Sequence, residues 1–406
     1  MAGITDIGYC REDFPVLAEP MNGKPIAFLD TASSAQKPRV VIDRMQEVLS
    51  THYANIHRGL YQLSLITTQE YESVRGKVAD FINGKPNEVV FTRNATEAIN
   101  LVAASWGKAN LKAGDEIIVS AMEHHANIVP WQLLEGVKLK VVPLLKDGTL
   151  DYDAFENTLS DRTKLVAIIH ASNALGTVNP VSKIVRKAKS FNGEIKVLVD
   201  ASQSIVHGGG DVKEIGCDFL VFTGHKLYGP TGVGVLWGRE HILNSMPPYQ
   251  GGGDMIEKVT FEGTTFKKAP ARFEAGTPAI AEVIGLGAAI DYILTVGQNN
   301  IAAHEKNMLD ALMRGLAKID GLKYFGQSQD KVGIVSFIPE WAHPSDVTMI
   351  LDKCGVAVRT GHHCCMPLMN HLGVDGMIRA SIGLYSNQND IDSLVTGLKK
   401  AKELLS

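Results

Sequence analysis

Residues from about 25 to about 275 alternate strand-like apolar runs with helical patterns and short turns, and no other feature of the chain restricts its fold as strongly. This alternation predicts a mostly parallel β-sheet with helices on both faces. Open sheets of this class bind their ligands beyond the carboxyl ends of the strands. The residues that follow each strand-like run are therefore the first candidates for a functional site.

Two of these runs end in side chains that point to one cofactor. The run Val197–Asp200 stops at a carboxylate, and the run Asp218–Lys226 ends, 26 residues after Asp200, in a Thr-Gly-His turn and a lysine. Pyridoxal 5'-phosphate needs this pair, because a lysine bonds to its aldehyde carbon and an aspartate keeps its ring nitrogen protonated. Either residue alone would more often be an ordinary buried aspartate or surface lysine. Together they predict a pyridoxal phosphate site.

A third run is followed by the start of a helix. Residues 88–92 are typical of a strand and residues 93–94 of a turn, and Ala95 and Thr96 open the helix. A helix start presents free backbone N–H groups to a phosphate, and the Thr96 hydroxyl adds another donor. Strand, turn and helix occur in every α/β domain, so this feature alone is more often structural.

Two more strand ends carry polar groups. His124 follows the run 115–120 and can lie flat on an aromatic ring or exchange protons with a substrate. We expect its neighbour His125 to be a hydrogen-bonded structural residue. Asn173 follows the run 164–170 and suits a cofactor oxygen or a substrate carboxylate, although asparagine in a loop is more often a turn residue.

Charge and apolar content argue against two classes of partner. The 40 basic and 44 acidic residues give a net charge of −4 without a basic block, so nucleic-acid binding has no support. No apolar run approaches the roughly 18 residues of a membrane helix. Residues 1–13 lack the charged and apolar regions of an export signal, and the five scattered cysteines do not form a disulfide framework. We expect a cytoplasmic protein with no membrane partner.

A second cluster of motifs resembles a known family. The segment Arg359–Pro367 reads Arg-Thr-Gly-His-His-Cys-Cys-Met-Pro, and with the motifs above it resembles the pyridoxal phosphate-dependent cysteine desulfurases of the class V aminotransferase family, in particular their SufS branch. The matching motifs run from about residue 11 to the C-terminus. They are Thr-Gly-His-Lys226, Asp200 with Gln203, Glu-His124-His, Arg-Phe-Glu-Ala-Gly-Thr277-Pro and Arg-Thr-Gly-His-His-Cys364.

The resemblance implies a fold and an activity. The fold is that of a fold-type I enzyme, an α/β protein with a mostly parallel sheet in a large domain and a smaller α+β C-terminal domain, assembled as a homodimer. The activity converts L-cysteine to L-alanine and leaves a persulfide on Cys364, which supplies sulfur for iron–sulfur cluster assembly through an acceptor protein of the SufE or SufU type. The alternatives are selenocysteine lyase, kynureninase-like cleavage or transamination on the same fold, and a non-enzymatic sulfur-binding scaffold. Cys364 in its motif disfavours the reactions that need no thiol, but L-selenocysteine stays open as a substrate.

Residue roles also follow from the resemblance. Lys226, His124 and Cys364 would be catalytic. The cofactor would be held by Lys226, Asp200, Gln203, His124, Ala95, Thr96, Thr223, His225 and, from the other subunit, Thr277. The substrate would be bound by Arg379, Asn173, Arg359 and His57. A guanidinium matches a carboxylate bidentately, which favours Arg379 as the clamp, while Arg359 either gates the pocket or pairs with an acidic residue.

Cys365 departs from the family pattern, in which that position is commonly Ala or Gly. We expect Cys365 to point away from the cofactor. A disulfide between neighbouring cysteines would strain the connecting peptide, and cytosolic thiols are kept reduced. A metal site over residues 362–365 is disfavoured, because adjacent residues cannot all converge on one tetrahedral ion.

The predicted domains are an N-terminal arm over 1–24 that packs with the small domain, a large cofactor-binding domain over 25–280, and a small domain over 281–406 that carries the catalytic cysteine. Residues 251–253 and Gly263 are predicted to form a flexible loop, with ordinary turn glycines as the alternative. Within and before the small domain, helical patterns cover about 281–296 and 301–318, strands are predicted at 322–325, 333–337, 356–358 and 377–381, and further helices begin near Pro344 and Asn387.

Overall fold

The protein is represented by a computed structural model, which describes residues 7–406. Its strands are β1 (Ala27–Phe28), β2 (Val89–Thr92), β3 (Glu116–Ser120), β4 (Lys138–Val142), β5 (Thr163–Ile169), β6 (Lys196–Asp200), β7 (Phe219–Thr223), β8 (Gly234–Gly238), β9 (Ile256–Val259), β10 (Thr264–Phe266), β11 (Leu322–Phe325), β12 (Ile334–Pro339), β13 (Val356–Ala357), β14 (Arg359–Gly361) and β15 (Met377–Ser381).

Helices connect and cover these strands. They are α1 (Arg39–Glu47), α2 (Gln62–Phe81), α3 (Ala95–Val102), α4 (Lys108–Asn110), α5 (Val129–Gln132), α6 (Tyr152–Thr158), α7 (Val181–Phe191), α8 (Val212–Ile215), α9 (Glu240–Ser245), α10 (Ile280–Val296), α11 (Gln298–Leu316), α12 (Pro344–Lys353), α13 (Met366–Leu372) and α14 (Gln388–Leu405). Short 3₁₀ turns follow β3 at His125–Asn127 and β7 at Gly224–Lys226.

The larger sheet confirms the predicted α/β architecture. Its seven strands lie in the order β2-β8-β7-β6-β5-β3-β4. The five from β4 to β7 are parallel, and β8 is antiparallel to both of its neighbours. Strands β3, β7 and β8 are buried along their whole length, as expected for a sheet covered on both faces. Because parallel strands share a carboxyl edge, the segments after β3, β5, β6 and β7 meet there.

The smaller sheet is antiparallel, with the order β11-β12-β15-β14. It packs with α11, α12 and α14 around an apolar cluster that includes Phe337, Leu351 and Leu398. Three of the four predicted strands lie in this sheet, whereas the fourth, predicted at 356–358, is β13 and pairs with β1. Strand β14 was not predicted. Arg359 begins β14 and pairs in register with Arg379, and a three-residue edge strand that contains a glycine shows no periodicity in the sequence.

Helix starts follow the predicted local chemistry. Helix α12 begins at Pro344, and the Asn387 side chain caps α14 by accepting from the backbone N of Asn389 and Asp390. Helix α11 begins at Gln298, three residues before the predicted start. The prediction began later because the first residues of the helix are polar and show no apolar periodicity. Among residues 7–406 no single helix is long and apolar enough to cross a membrane, and α10 with α11 reaches that length and hydropathy only as a pair bent by 75°.

The N-terminal segment contacts both halves of the molecule. Phe14 packs into the core under the large sheet, whereas Arg11 donates to Asp390 and to the backbone oxygen of Tyr385. Ala27 and Leu29 pack in the apolar cluster of the small sheet, whereas Phe28 packs against the core under the large sheet, and β1 pairs with β13. Residues 1–6 of the predicted arm lie outside the described part of the chain. The predicted domain limits at 24 and 280 stay predictions.

The predicted glycine loop is partly an ordered hairpin. Strands β9 and β10 pair antiparallel, and Gly263 lies in the turn between them. Phe261 at this turn is fully exposed, and Val259 is 60% exposed. Gly263 is therefore a turn glycine, which was the alternative to a flexible loop, because residues 256–259 and 264–266 pair across the turn.

Gly234 permits a close contact between two elements of the large sheet. A Cβ atom at this position on β8 would lie 2.5 Å from the Cα and carbonyl carbon of Asn94, the residue that caps α3. We expect Gly234→Ala to lower the free energy of unfolding by about 1–3 kcal/mol, because backbone atoms must move to admit the methyl group. Chemical denaturation measures the change. Gly76→Ala is the control, since a Cβ there meets nothing within 4 Å, and equal stability of the two variants would contradict the prediction.

Candidate active site

A cavity of about 170 Å³ lies at the carboxyl edge of the large sheet, between the start of α3 and the segment that follows β14. It brings together 12 of the 14 residues that the sequence predicted for the site. These are Ala95, Thr96, His124, Asn173, Asp200, Gln203, Thr223, His225, Lys226, Arg359, Cys364 and Arg379.

Lys226 and Asp200 occupy neighbouring strand ends in this cavity. Asp200 ends β6, is buried, and accepts a hydrogen bond from the backbone N of Ser202 at 2.9 Å. Burial lowers the pKa of the Lys226 amine to about 8, a shift that Asp200 opposes and Arg379 reinforces. A pKa near 8 makes the neutral amine accessible close to pH 7, and the neutral amine is the form that bonds to an aldehyde.

Other residues of this cavity suit a phosphate group. Ala95 and Thr96 open α3, whose exposed N-terminal N–H groups favour an anion. Within residues 7–406, the buried hydroxyls of Thr223 and Ser202 have no hydrogen-bond partner. Buried hydroxyls normally have a hydrogen-bond partner, so these two hydroxyls are free to bond to a ligand. The residues present therefore fit the phosphate of pyridoxal phosphate.

Two further cavity residues are held by hydrogen bonds to residues 32–34. Gln203 donates through Nε2 to the backbone oxygen of Ala32 at 2.8 Å. His225 Nδ1 lies 3.2 Å from the Ser34 hydroxyl, and burial together with Lys226 lowers the pKa of His225 to about 4. A phosphate would therefore meet a neutral imidazole at His225.

His124 presents a neutral ring to the cavity. Its Nδ1 accepts from the backbone N of Ala126 at 3.1 Å, so the ring proton lies on Nε2. Burial, and then the nearby Lys226 amine, lower the pKa of His124 to about 4. The ring can stack on a cofactor and donate from Nε2, as the sequence led us to expect.

Four residues, 362–365, join β14 to α13, and we call them the cysteine loop. His363 and Cys364 both have positive φ, at 53° and 56°, a left-handed conformation that residues other than glycine rarely adopt. Cys364 is exposed and lines the cavity. Cys365 is buried, its Sγ donates to Asn173 Oδ1 at 3.3 Å, and burial raises its pKa to about 12. As expected, Cys365 points away from the cavity.

Asn173 and His125 hold the cysteine loop to the large sheet. Asn173 donates from Nδ2 to the backbone oxygen of His363 at 2.7 Å, while its Oδ1 accepts from Cys365. Both ends of the amide are thus engaged by the loop, and contact with a cofactor or substrate oxygen stays a prediction. His125 hydrogen-bonds to Cys364 and Met366, which confirms its expected structural role.

Arg379 lies buried at the rear of the cavity. It donates to the backbone oxygen of Asn173 at 2.8 Å and to the carboxylate of Asp30 at 3.0 Å, and its Nε has no partner among the residues described. Arg359 bonds to the Ser33 hydroxyl and lies 3.9 Å from Asp30. Sequence reasoning missed Asp30 and Ser33, although Asp30 also follows an apolar run, Ile26–Leu29, and that signal marked the other strand ends.

A buried carboxylate beside His124 was also missed. Glu123 accepts from the Ser120 hydroxyl, from Asn127 Nδ2 at 2.7 Å and from the backbone N of Ile169 at 2.9 Å. Burial raises its pKa to about 7. Glu123 thereby ties the end of β3 to the end of β5 and supports the segment that carries His124.

Thr277 and His57 do not line the Lys226 cavity in this chain. Thr277 borders a separate cavity of about 750 Å³ beside Asn94 and Tyr249. His57 has a φ of 71°, and its Nε2 lies 3.0 Å from Glu72. The prediction that Thr277 reaches a cofactor from another subunit is compatible with this position and stays a prediction, as does the role of His57.

Comparison with known proteins agrees with the geometry. The model of the aminotransferase class-V family matches residues 27–394. Cysteine desulfurases of Cronobacter sakazakii and of Escherichia coli O7:K1 are 48% and 49% identical to this chain, over 97% of it and 98% of each relative. The crystal structure of the cysteine desulfurase CsdA of Escherichia coli has a TM-score of 0.92 at 36% identity and full coverage of both chains. A cysteine desulfurase of Thermococcus onnurineus NA1 has the same TM-score at 37% identity, with 100% of this chain and 99% of that chain covered.

Lys226 is expected to be the attachment point of the cofactor. Lys226→Ala should lose the visible absorbance of protein-bound pyridoxal phosphate after purification, since no other amine lines this cavity among the described residues. Lys331→Ala is the matched control, because burial also lowers the pKa of Lys331 to about 8 but its amine contacts Gly326 instead. A yellow Lys226→Ala protein with the absorbance of the parent would refute the assignment.

Proposed function

Because this chain belongs to the class V aminotransferase family and to the cysteine desulfurases within it, we propose that Cys364 is the residue that receives sulfur from L-cysteine as a persulfide. The enzyme is a pyridoxal phosphate-dependent cysteine desulfurase, and its sulfur serves iron–sulfur cluster assembly. The observation that supports Cys364 is its place: an exposed thiol in the same cavity as Lys226 and Asp200.

The cavity residues divide the work of binding the cofactor. Asp200 would hold the ring nitrogen, His124 would cover the ring, and Thr96, Thr223 and His225 would bind the phosphate. When bound, pyridoxal phosphate supplies an electron-withdrawing ring that acidifies the substrate Cα–H and weakens the Cβ–S bond. Each of these residues lines the cavity, and burial of Asp200 strengthens the interaction of its charge with a nearby cation.

The remaining groups act on the substrate. Arg379 binds the substrate carboxylate with its unpartnered Nε edge, while Asp30 and Asn173 fix the guanidinium from the other side. The Lys226 amine takes the Cα proton, and its pKa of about 8 suits a base near pH 7. The Cys364 thiolate attacks the substrate sulfur, so that a sulfur–sulfur bond forms as the Cβ–S bond breaks, and protonation of the carbon fragment leaves L-alanine.

We assign the enzyme to the SufS branch because the chain passes from Gly361 at the end of β14 to Met366 at the start of α13 in four residues. This cysteine loop is held at both ends by secondary structure and cannot swing Cys364 far from the cavity. A separate acceptor protein of the SufE or SufU type would therefore have to bring its own thiol to the persulfide.

A homodimer is part of the proposal. Large apolar side chains are exposed on this single chain, with Phe261 at 109% and Leu60 at 93%, and Tyr61, Leu63 and Leu65 follow Leu60 closely in sequence. Monomeric proteins seldom expose large contiguous apolar patches. Thr277 and His57 also lie outside the cavity of their own chain. A second copy that covers these apolar side chains would explain both observations.

Two finer assignments complete the proposal. L-selenocysteine is a second substrate, since it differs from L-cysteine by one atom and its C–Se bond is the weaker one. The cytoplasm is the proposed location, supported by five cysteines that are all free, including the neighbouring pair 364 and 365.

The two neighbouring cysteines should respond differently to mutation. Cys364→Ser should keep the absorbance of the bound cofactor yet lose alanine release from L-cysteine by a factor on the order of 10³ or more, as expected when a nucleophile is removed. Cys365→Ser is the matched control and should stay largely active, because the Cys365 thiol contacts Asn173 rather than the cavity. The reverse pattern would show that Cys365 is the nucleophile.

Transfer of the persulfide sulfur to an acceptor should limit the rate of turnover. We expect slow alanine release with excess dithiothreitol and faster release when a SufE-type or SufU-type protein is added at low micromolar concentration, because the short cysteine loop keeps the persulfide inside the cavity. The measurement is the steady-state rate of alanine formation, with an acceptor whose cysteine is changed to serine as control. Equal rates with and without the intact acceptor would disprove the dependence.

A further inference from the structure

We propose that His125 is a positioning residue, whose ring nitrogen holds the cysteine loop so that Cys364 faces its target. The inference rests on the proposed role of Cys364. His124 and His125 are adjacent, but they do different work: the first lines the cavity, and the second lies against the loop that carries the thiol.

His125 contacts the chain at two points that follow the Cys364 side chain, one on each side of Cys365. Its backbone N donates to the backbone oxygen of Cys364 at 2.8 Å. Its ring Nε2 accepts from the backbone N of Met366 at 2.9 Å. Met366 is the first residue of α13, where an N–H group has no acceptor within the helix, so the imidazole caps that helix as well.

The loop needs such contacts because of its backbone. His363 and Cys364 are consecutive residues in the left-handed region, which persists in residues other than glycine only when the surroundings enforce it. Asn173 holds the carbonyl of His363, and His363 itself bonds through Nε2 to the backbone oxygen of Met377. These bonds secure the loop before Cys364. The His125 ring secures the chain after it.

Acceptance at Nε2 requires a neutral imidazole with its proton on Nδ1. Burial and the nearby His362 lower the pKa of His125, which favours that form. The other titratable neighbours are Cys364 on the loop and His124, whose ring centre lies 6.3 Å away. Glutamine can offer an acceptor oxygen at about the reach of Nε2, whereas phenylalanine keeps the ring and offers none.

The test compares His125→Phe and His125→Gln with the parent holoenzyme. Hydrogen exchange, read by mass spectrometry on peptides covering 362–369, reports the loop, and steady-state alanine release reports the chemistry. For the Phe variant we expect faster exchange in these peptides and a kcat reduced roughly five- to tenfold, the size expected for one lost hydrogen bond. KM for L-cysteine and the cofactor absorbance should change little, because no residue that binds either one is altered.

The Gln variant should restore both exchange and kcat to near the parent values. His241→Phe, at an exposed histidine on α9, controls for the loss of any imidazole and should match the parent. Unchanged loop exchange in His125→Phe would overturn the proposal, and so would faster exchange with an unchanged kcat. A defect that glutamine fails to repair would overturn the acceptor role. Loop exchange can be measured whether or not Cys364 is the nucleophile, so a failure of the proposed function would be seen separately in Cys364→Ser.

Discussion

One buried cation, the guanidinium of Arg379, joins the two sheets at the active site. It is 2% exposed on β15 of the small sheet, and it donates to the carbonyl of Asn173 beyond β5 of the large sheet and to the carboxylate of Asp30. A charge in such a place destabilises the fold unless it is paired and hydrogen-bonded. The partners of Arg379 come from segments far apart in sequence. These bonds therefore help to set the position of the small sheet over the cavity, together with the Ser336 hydroxyl, which donates to the backbone oxygen of Ala174.

Residues at the ends of buried parallel strands could be predicted well, because a strand end needs only local evidence. Lys226, Asp200 and His124 each follow an apolar run, and parallel strands bring such ends to one edge. Asp30 also follows an apolar run, but the strand before it pairs with β13, and no local pattern shows that pairing. Strand β14 was hidden for a related reason, since three residues at a sheet edge are too few for an alternation to appear. Local sequence patterns could not predict which distant segments pair, as β1 does with β13 and β14 with β15.

Cys364 and Cys365 show how strongly the surroundings decide the chemistry of identical side chains. The left-handed backbone at Cys364 turns successive side chains in different directions. One thiol meets the cavity, while the other lies in an apolar cluster with Met122 and Leu368 and has a pKa raised to about 12 by burial. A thiolate is the reactive form of cysteine, and the raised pKa keeps the buried Cys365 thiol protonated near pH 7. Its sulfur serves instead as a donor to Asn173, which in turn holds the loop.

The pairing of β1 with β13 has a consequence for biosynthesis. Ala27 lies opposite Val356, and Asp30 bonds to Arg379 across 349 positions of sequence. During translation the first strand therefore leaves the ribosome long before its partner exists, and the large sheet can be complete while residues 27–30 still have nothing to pair with. Contacts of such separation slow folding and leave strand edges open to other chains in the meantime. The cavity is thus completed by about the last eighth of the polypeptide, residues 356–406, so an interrupted chain would carry Lys226 and Asp200 without Arg379 or Cys364.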